Sequence, residues 1–504
     1  MNKKIIVIGS GIGGLSVAAR LLSRGFNVTV LEKNSTILEK NSTIGGKTNF
    51  FEVNGFKFNL TASLIMFFRD YIEVFEYCNK NYKDYFSLIP IETLYRVFYS
   101  DNSIYDFSNK FSSLSSNINQ ITNGDIEDIY GYFNFLSSNY EKYQIANKYF
   151  LNQNFSNNNN FFKSIISNTH LDLKILHSSY KDCKKYIKNE KLINYFMFQT
   201  MYIGGSPYTL SNIYNSIPAV TQIEGLYHMQ GGIYSYIKAL ERLILNQGGI
   251  INTNCEVKKI LFEDKKAIGV MVNNKKLNAD AVICSSDYSY TIDNLIQDED
   301  IKDSVKPVEQ LKYSCSTFIL YLGLDKKYPM LNINNIYINK NFKKNLKAPF
   351  KGILSKDPSI YIYCPSSLDT TICPNGYECI NVMIRVPNLL YNNITWNLKT
   401  TNMIKKELLD ILSSIDTLSD IKEHIILEKY LTPLDFKYAF NTYGGTAFGL
   451  SHTLNQTNIF RPQCEIKNIN NLFFTGASTH PGNGVSMVIK SSKICSDRIC
   501  DLYK

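Results

Sequence analysis

The chain has 504 residues and a formal charge of +10, with 44% hydrophobic and 19% charged residues. That much apolar material excludes a wholly disordered chain, and the length suits two or three domains, or one large domain with an inserted lobe. Aromatic residues reach 13%, with 35 Tyr and 30 Phe. Composition alone favours codon bias in an AT-rich genome as the cause of that surplus, over a protein that meets a negatively charged surface and a greasy ligand.

In chain order, Ile5–Ile8 is a β-branched apolar run that predicts a buried parallel strand. Gly9-Ser10-Gly11-Ile12-Gly13-Gly14 follows and leads into a helix over Leu15–Leu22. Asn27–Leu31 predicts a second strand, closed by Glu32. This is G-x-G-x-x-G inside a strand–turn–helix–strand unit. Gly9 permits the tight turn, Gly11 lets the backbone approach a pyrophosphate, and Gly14 lets helix and strand pack closely. The helix N-terminus offers free N–H groups to an anion, and Glu32 is placed to accept hydrogen bonds from a ribose. Residues 31–37 read LEKNSTI and 38–44 repeat it, before Gly45-Gly46-Lys47. Glu32 or Glu39 could end the strand; the spacing favours Glu32, which makes the second copy a lengthened loop bordering the ribose.

Further along, the Asn-rich stretch Asn152–Phe162 predicts a loop. Gly231-Gly232 precedes a helix over Ile233–Leu245. Strands are expected at Gly248–Ile251, Cys255–Ile260, Gly269–Val272 and Ala281–Cys284. Near the C-terminus Leu472–Thr475 is a strand, followed by a glycine turn and a helix from Gly484 toward Cys500. A second glycine-led helix N-terminus is what a fold needs to hold the far part of a long dinucleotide.

No run approaches the ~20 apolar residues of a membrane span, and no signal peptide is expected. The eleven cysteines, without a C-x-x-C pair, point to reduced thiols in a cytosolic chain, and the isolated histidines to no metal site. Without an Arg/Lys stripe with interleaved aromatics, nucleic acid is not expected as a partner.

The acid-ended second strand followed by Gly45-Gly46-Lys47 resembles the FAD-binding opening of the amine oxidase and carotenoid desaturase superfamily. The block from Asn471 to Val485, with Thr479-His480-Pro481-Gly482, resembles the C-terminal signature of bacterial phytoene-type desaturases. Cys78–Tyr85, Phe198–Gly204, Tyr313–Ser316, Lys356–Tyr361, Thr432–Phe436 and Ala447–Leu450 are most similar to the branch acting on the thirty-carbon substrate, the diapophytoene (dehydrosqualene) desaturases. The chain departs from the pattern at Asn59-Leu60-Thr61-Ala62, where the family has Asp, any residue, Gly and Pro. Lys47 stands for the usual Arg, and Asn483 for a small residue.

The resemblance implies an α/β fold: an FAD-binding Rossmann-like (amine-oxidase-type) domain with an inserted α+β substrate-binding lobe. The FAD domain would comprise 1–70, 225–310 and 440–504; the substrate- and membrane-facing domain, 71–224 and 311–439. FAD would be held by Gly9, Ser10, Gly11, Gly13, Gly14, Leu15, Glu32, Lys33, Gly45, Gly46, Lys47, Val257, Gly476, Gly482, Gly484 and Val485. The implied reaction extends a conjugated polyene by hydride transfer to flavin, with no catalytic side chain assigned and His480 shaping its turn rather than acting as a base. A forty-carbon (phytoene) substrate, a carotenoid oxidase that forms terminal aldehydes, and a silent carotenoid- or membrane-binding paralogue are the alternatives. Burying a thirty-carbon chain is worth on the order of 24 kcal/mol at ~0.8 kcal/mol per carbon. That exceeds the ~18–21 kcal/mol ceiling of non-covalent affinity, so exchange through water is excluded. The hydrophobic polyene must come from a bilayer, and the protein is expected on the inner face of the cell membrane as a peripheral, cytoplasmic partner.

Overall fold

The computed structural model of the chain describes residues 3–34, 44–156 and 177–503. Strand β1 (Lys4–Ile8) is the centre of a five-stranded, all-parallel sheet. Its other strands are β2 (Asn27–Leu31), β3 (Ile250–Asn252), β4 (Ala281–Cys284) and β5 (Leu472–Phe474), in the order β5–β4–β1–β2–β3. The apolar runs are continuous because both faces are covered. Ile5 and Val7 point to a core shared with α1 (Ile12–Leu22), α2 (Val485–Leu502) and the helix Tyr234–Asn246. Ile6 and Ile8 point the other way, onto an antiparallel sheet of Val257–Glu263, Lys266–Val272 and Lys275–Asn278. The last of these strands was not expected; all four of its residues are exposed, so no apolar pattern marks it.

A second, mixed sheet of seven strands runs in the order Ile425–Leu431, Ser316–Leu324, Glu378–Val386, Ile360–Tyr363, Asn334–Ile338, Thr93–Tyr99, Ile104–Ser108. Only Asn334–Ile338 and Thr93–Tyr99 pair in parallel. Ser316–Leu324 is buried along its whole length. Phe318, Leu320 and Leu322 pack on the helix Leu398–Ser413, and Ile319 and Tyr321 on Phe51, Phe56 and Phe58 of the hairpin Phe50–Asn59. Many of the described aromatic side chains around this sheet build cores: Tyr95, Phe107, Tyr132, Phe135, Tyr195 and Phe196 are all buried in one cluster. The Asn-rich stretch is described only as far as Ser156, and the second LEKNSTI copy only at Ile44.

Candidate functional site: a cavity at the carboxyl ends of the parallel strands

The residues that leave the parallel strands line one long cavity: Gly9 after β1, Glu32 after β2, Ser285 after β4 and Thr475 after β5. This is the crevice outside the carboxyl ends of an open α/β sheet, where such folds bind ligands. Gly9 turns the chain with φ +96°, its N–H donating to Leu31 O at 2.8 Å. Gly14 lies against that turn, where a Cβ would meet Gly9 O at 2.1 Å. Gly11 is the N-cap of α1, offers no capping side chain, and has no atom within 4 Å of where its Cβ would lie. α1 thus presents unpaired N–H groups and the positive end of its dipole to the cavity, with no acid in its first turn.

Glu32 is 6% exposed, and its Oε2 accepts hydrogen bonds from Ser10 N at 2.9 Å and Ser10 Oγ at 2.7 Å. Its Oε1 accepts from Asn34 N at 3.0 Å. A carboxylate has about four lone-pair sites, so acceptor capacity remains for ribose hydroxyls. β2 ends at Leu31 and Glu32 follows it directly, as the spacing predicts, while Glu39 lies outside the described residues. Lys33 reaches across to the C-terminal segment, donating to Asn441 Oδ1 at 2.6 Å.

At mid-cavity Gly45 and Gly46 take φ of +108° and +54°, and Gly45 N donates to Ser10 O at 2.9 Å, which seats the turn against α1. Lys47 sits deep in the fold with part of its surface on the cavity wall. Its Nζ donates to Ala447 O at 3.0 Å. Asp287, also on the wall, accepts from Ser478 Oγ at 3.2 Å and Tyr290 N at 3.2 Å. Burial pushes the Lys47 pKa down and the Asp287 pKa up, and their mutual attraction opposes both shifts. Thr61, where the family has glycine, lies outside the left-handed region, so its Cβ causes no backbone strain. Its hydroxyl donates to Lys47 O at 2.7 Å, securing the turn.

The loop before α2 closes the same cavity. Gly476, Ala477, Ser478, Thr479, Asn483, Gly484 and Val485 line it, and α2 begins at Gly484 without a capping side chain. A Cβ at Gly476 or Gly484 would meet nothing within 4 Å. Beyond this loop the lining becomes apolar, with Leu64, Met66, Met201 and Met383 beside Tyr202 and Tyr361. Both tyrosines are pinned from behind, Tyr202 OH donating to Tyr95 OH at 2.9 Å and Tyr361 OH to Asn334 Oδ1 at 2.7 Å.

Of the residues singled out in the sequence, Gly9, Gly11, Gly13, Glu32, Lys33, Gly45, Gly46, Lys47, Val257, Gly476, Gly484 and Val485 meet on this lining. Ser10, Gly14 and Leu15 stand behind it, Ser10 orienting Glu32 and the other two packing α1. Gly482 is also off the wall: at φ +146° its Cβ would lie 2.3 Å from His452 Nε2, so its glycine serves close packing. His480 is buried beside it, its Nε2–H donating to Phe150 O at 3.0 Å, which suits a turn-shaping role. Asp287 and Thr61 were missed as site residues; Asp287 had a signal, standing three residues past a strand that ends at the crevice.

Two uncapped helix N-termini, glycines leaving open space beside both, and a buried acid after β2 fit a dinucleotide with its anionic groups on the helix ends. The family model for flavin containing amine oxidoreductases matches residues 12–295. The 4,4'-diapophytoene desaturase (4,4'-diaponeurosporene-forming) of Staphylococcus haemolyticus is 32% identical over 505 residues, covering 99% of this chain and 98% of that protein. The Staphylococcus aureus protein of the same name is 33% identical over 503 residues, 98% of each. Among solved structures, an oxidoreductase from Methanosarcina mazei has a TM-score of 0.64 at 16% identity, over 99% of this chain and 100% of that one. Cyclohexylamine oxidase from Brevibacterium oxydans has 0.62 at 11%, over 100% of both. These structural likenesses bear on the fold, which is α/β with a Rossmann-like FAD domain. Sequence match, fold and crevice agree: the chain belongs to the flavin-containing amine oxidoreductase family, and FAD is its cofactor.

Proposed function

We propose that this enzyme removes hydrogen across a CH2–CH2 bond of a linear thirty-carbon polyene of the diapophytoene class, extending its conjugation. The observation that carries this is the full-length similarity to two diapophytoene desaturases. A cavity that passes from a dinucleotide cradle to methionine and tyrosine walls supports it. FAD, when bound, supplies the hydride acceptor. In this reading Gly9, Gly11, Gly13 and the α1 N-terminus hold the pyrophosphate, Glu32 the ribose, and Val257 and Lys33 the adenosine side. Gly45–Lys47 and the loop from Gly476 to Val485 hold the ring end; Ser10, Gly14, Leu15 and Gly482 act from behind the wall. The FAD domain comprises 1–70, 225–310 and 440–504, and the remaining segments 71–224 and 311–439 cover the substrate. Met201, Tyr202, Tyr361 and Met383 position the polyene and exclude water.

Expression in a host that makes diapophytoene, and separately in one that makes phytoene, tests this. Yellow pigment from the first alone is expected; pigment from phytoene alone, or from neither, overturns it. Among the described residues no helix is long and apolar enough to cross a membrane. The affinity argument then requires the protein to take its substrate at a bilayer surface. Flotation with anionic liposomes checks this, and protein left entirely in the dense fraction refutes it.

A further inference from the structure

Arg461 is 1% exposed, and all its hydrogen bonds go to backbone carbonyls. Its Nη2 donates to Ala477 O at 2.7 Å and Leu450 O at 3.2 Å, and its Nε to Thr479 O at 3.1 Å. Its Nη1 donates to Gln456 O at 3.2 Å and Ser451 O at 3.4 Å. No carboxylate among the described residues pairs with it. Burial draws its pKa down to about 10, so it stays cationic at neutral pH. Carbonyl dipoles satisfy its donors but leave a net charge inside the protein, an arrangement that is costly unless something else answers it.

Two of the five carbonyls belong to Ala477 and Thr479, which line the cavity just before α2. The rigid guanidinium fork therefore fixes the loop from behind, and its charge adds to the positive end of α2 on the same wall. Reduction by hydride leaves a flavin one unit more negative than its oxidised form. A cation held in a low-dielectric setting near that ring favours the reduced state, and being held in place it needs no rearrangement when the charge appears.

We propose that Arg461 is a positioning residue for the ring end of the flavin and that its unpaired charge raises the flavin's reduction potential. This rests on the reading that the ring lies beside residues 476–485. The test measures flavin content and midpoint potential, by anaerobic dye equilibration, on FAD-loaded wild type, Arg461→Gln and Arg461→Lys. Arg461→Gln should lower the reduction equilibrium about tenfold, or ~30 mV for a two-electron couple. Arg461→Lys should hold less flavin, through loss of the fork, at close to the wild-type potential. An Arg461→Gln protein that is loaded and has the wild-type potential overturns the proposal. If Arg461→Gln does not load, Arg461→Lys decides: a retained potential supports the proposal, and a tenfold drop with the charge still present overturns it. A wild type that takes up no FAD removes the cofactor placement itself, an outcome separate from an unshifted loaded variant.

Discussion

Gly11 and Gly14 stand three residues apart in one turn, and their substitutions should fail in different assays. A methyl at Gly14 would lie 2.1 Å from Gly9 O and 3.2 Å from Ser285 Cβ, so a backbone atom must move. Such overpacking costs ~1–3 kcal/mol, against a gain of up to ~1 kcal/mol from helix propensity. A 2.1 Å clash with a backbone atom takes the upper end of that range, so Gly14→Ala should destabilise the FAD-free protein by a net ~2 kcal/mol, read as a lower unfolding temperature. Gly11 has φ −68° and ψ 175°, open to any residue, with nothing within 4 Å. Serine there can cap α1 itself, at no cost or with a gain of a few tenths of a kcal/mol. It does so by taking N–H donors, and space, that a pyrophosphate needs. Losing one or two charge-assisted hydrogen bonds, at ~1.5–3 kcal/mol each, weakens FAD about a hundredfold. At FAD equal to ~100 times the wild-type Kd, ligand stabilisation is ~2.7 kcal/mol for wild type and ~0.4 kcal/mol for Gly11→Ser. Thermal unfolding with and without FAD reads both. A full FAD-induced shift in Gly11→Ser, or unchanged FAD-free unfolding in Gly14→Ala, refutes the division of labour.

Glu32→Ala leaves the buried Ser10 donors unanswered, and should cost ~1–3 kcal/mol in stability and at least tenfold in FAD affinity, read by fluorescence titration. Glu32→Gln, which keeps an acceptor, should recover more of the stability than of the affinity. Burial lowers His480 to about 4, below the ~6.5 of an unfolded histidine, so its contribution is fully present above pH 6.5 and is lost as pH falls toward 4. The loss approaches ~3 kcal/mol, and thermal unfolding from pH 7 to 4.5 should show a shallower fall for His480→Gln than for wild type; parallel curves would disprove the assignment. Lys490 Nζ lies 2.7 Å from Asp70 Oδ1, with side-chain exposures of 7% and 17%. Lys490→Met should cost ~3 kcal/mol by stranding a carboxylate whose pKa burial already raises, and adding Asp70→Asn should restore most of it in chemical denaturation.

The nucleotide-binding half was legible because its signals are local. β1, the glycine turn, α1 and β2 are contiguous, and the unbroken apolar run from Ile5 to Ile8 follows from one sheet with two covered faces. The C-terminal strand, turn and helix could be read for the same reason. The seven-stranded sheet could not: its one parallel pair joins Asn335 to Arg96, far apart in sequence, and nothing in either segment names the other. Gly482 lies off the cavity wall, and a glycine in a signature does not say whether its missing Cβ makes room for a ligand or for a neighbour such as His452. The aromatic surplus, 35 Tyr and 30 Phe, is divided among core, cavity and surface. Rings such as Phe107 on Tyr195, or Tyr132 on Phe196, are buried core, while Tyr202 and Tyr361 reach the cavity and Phe111 and Tyr130 face solvent.

The outer strand β5 and the helix α2 are synthesised long after β4 and α1, yet they pair with β4 and pack on α1. A growing polypeptide therefore displays β4 as an open sheet edge through the making of some two hundred residues, and such edges invite wrong partners. If the α2 N-terminus holds part of FAD, as proposed, the cradle is incomplete until Val485 has emerged. On the proposed placement of FAD, loading waits until α2 has been made, and a truncation that removes residues from 472 onward should yield protein that never carries flavin, however much of it is made.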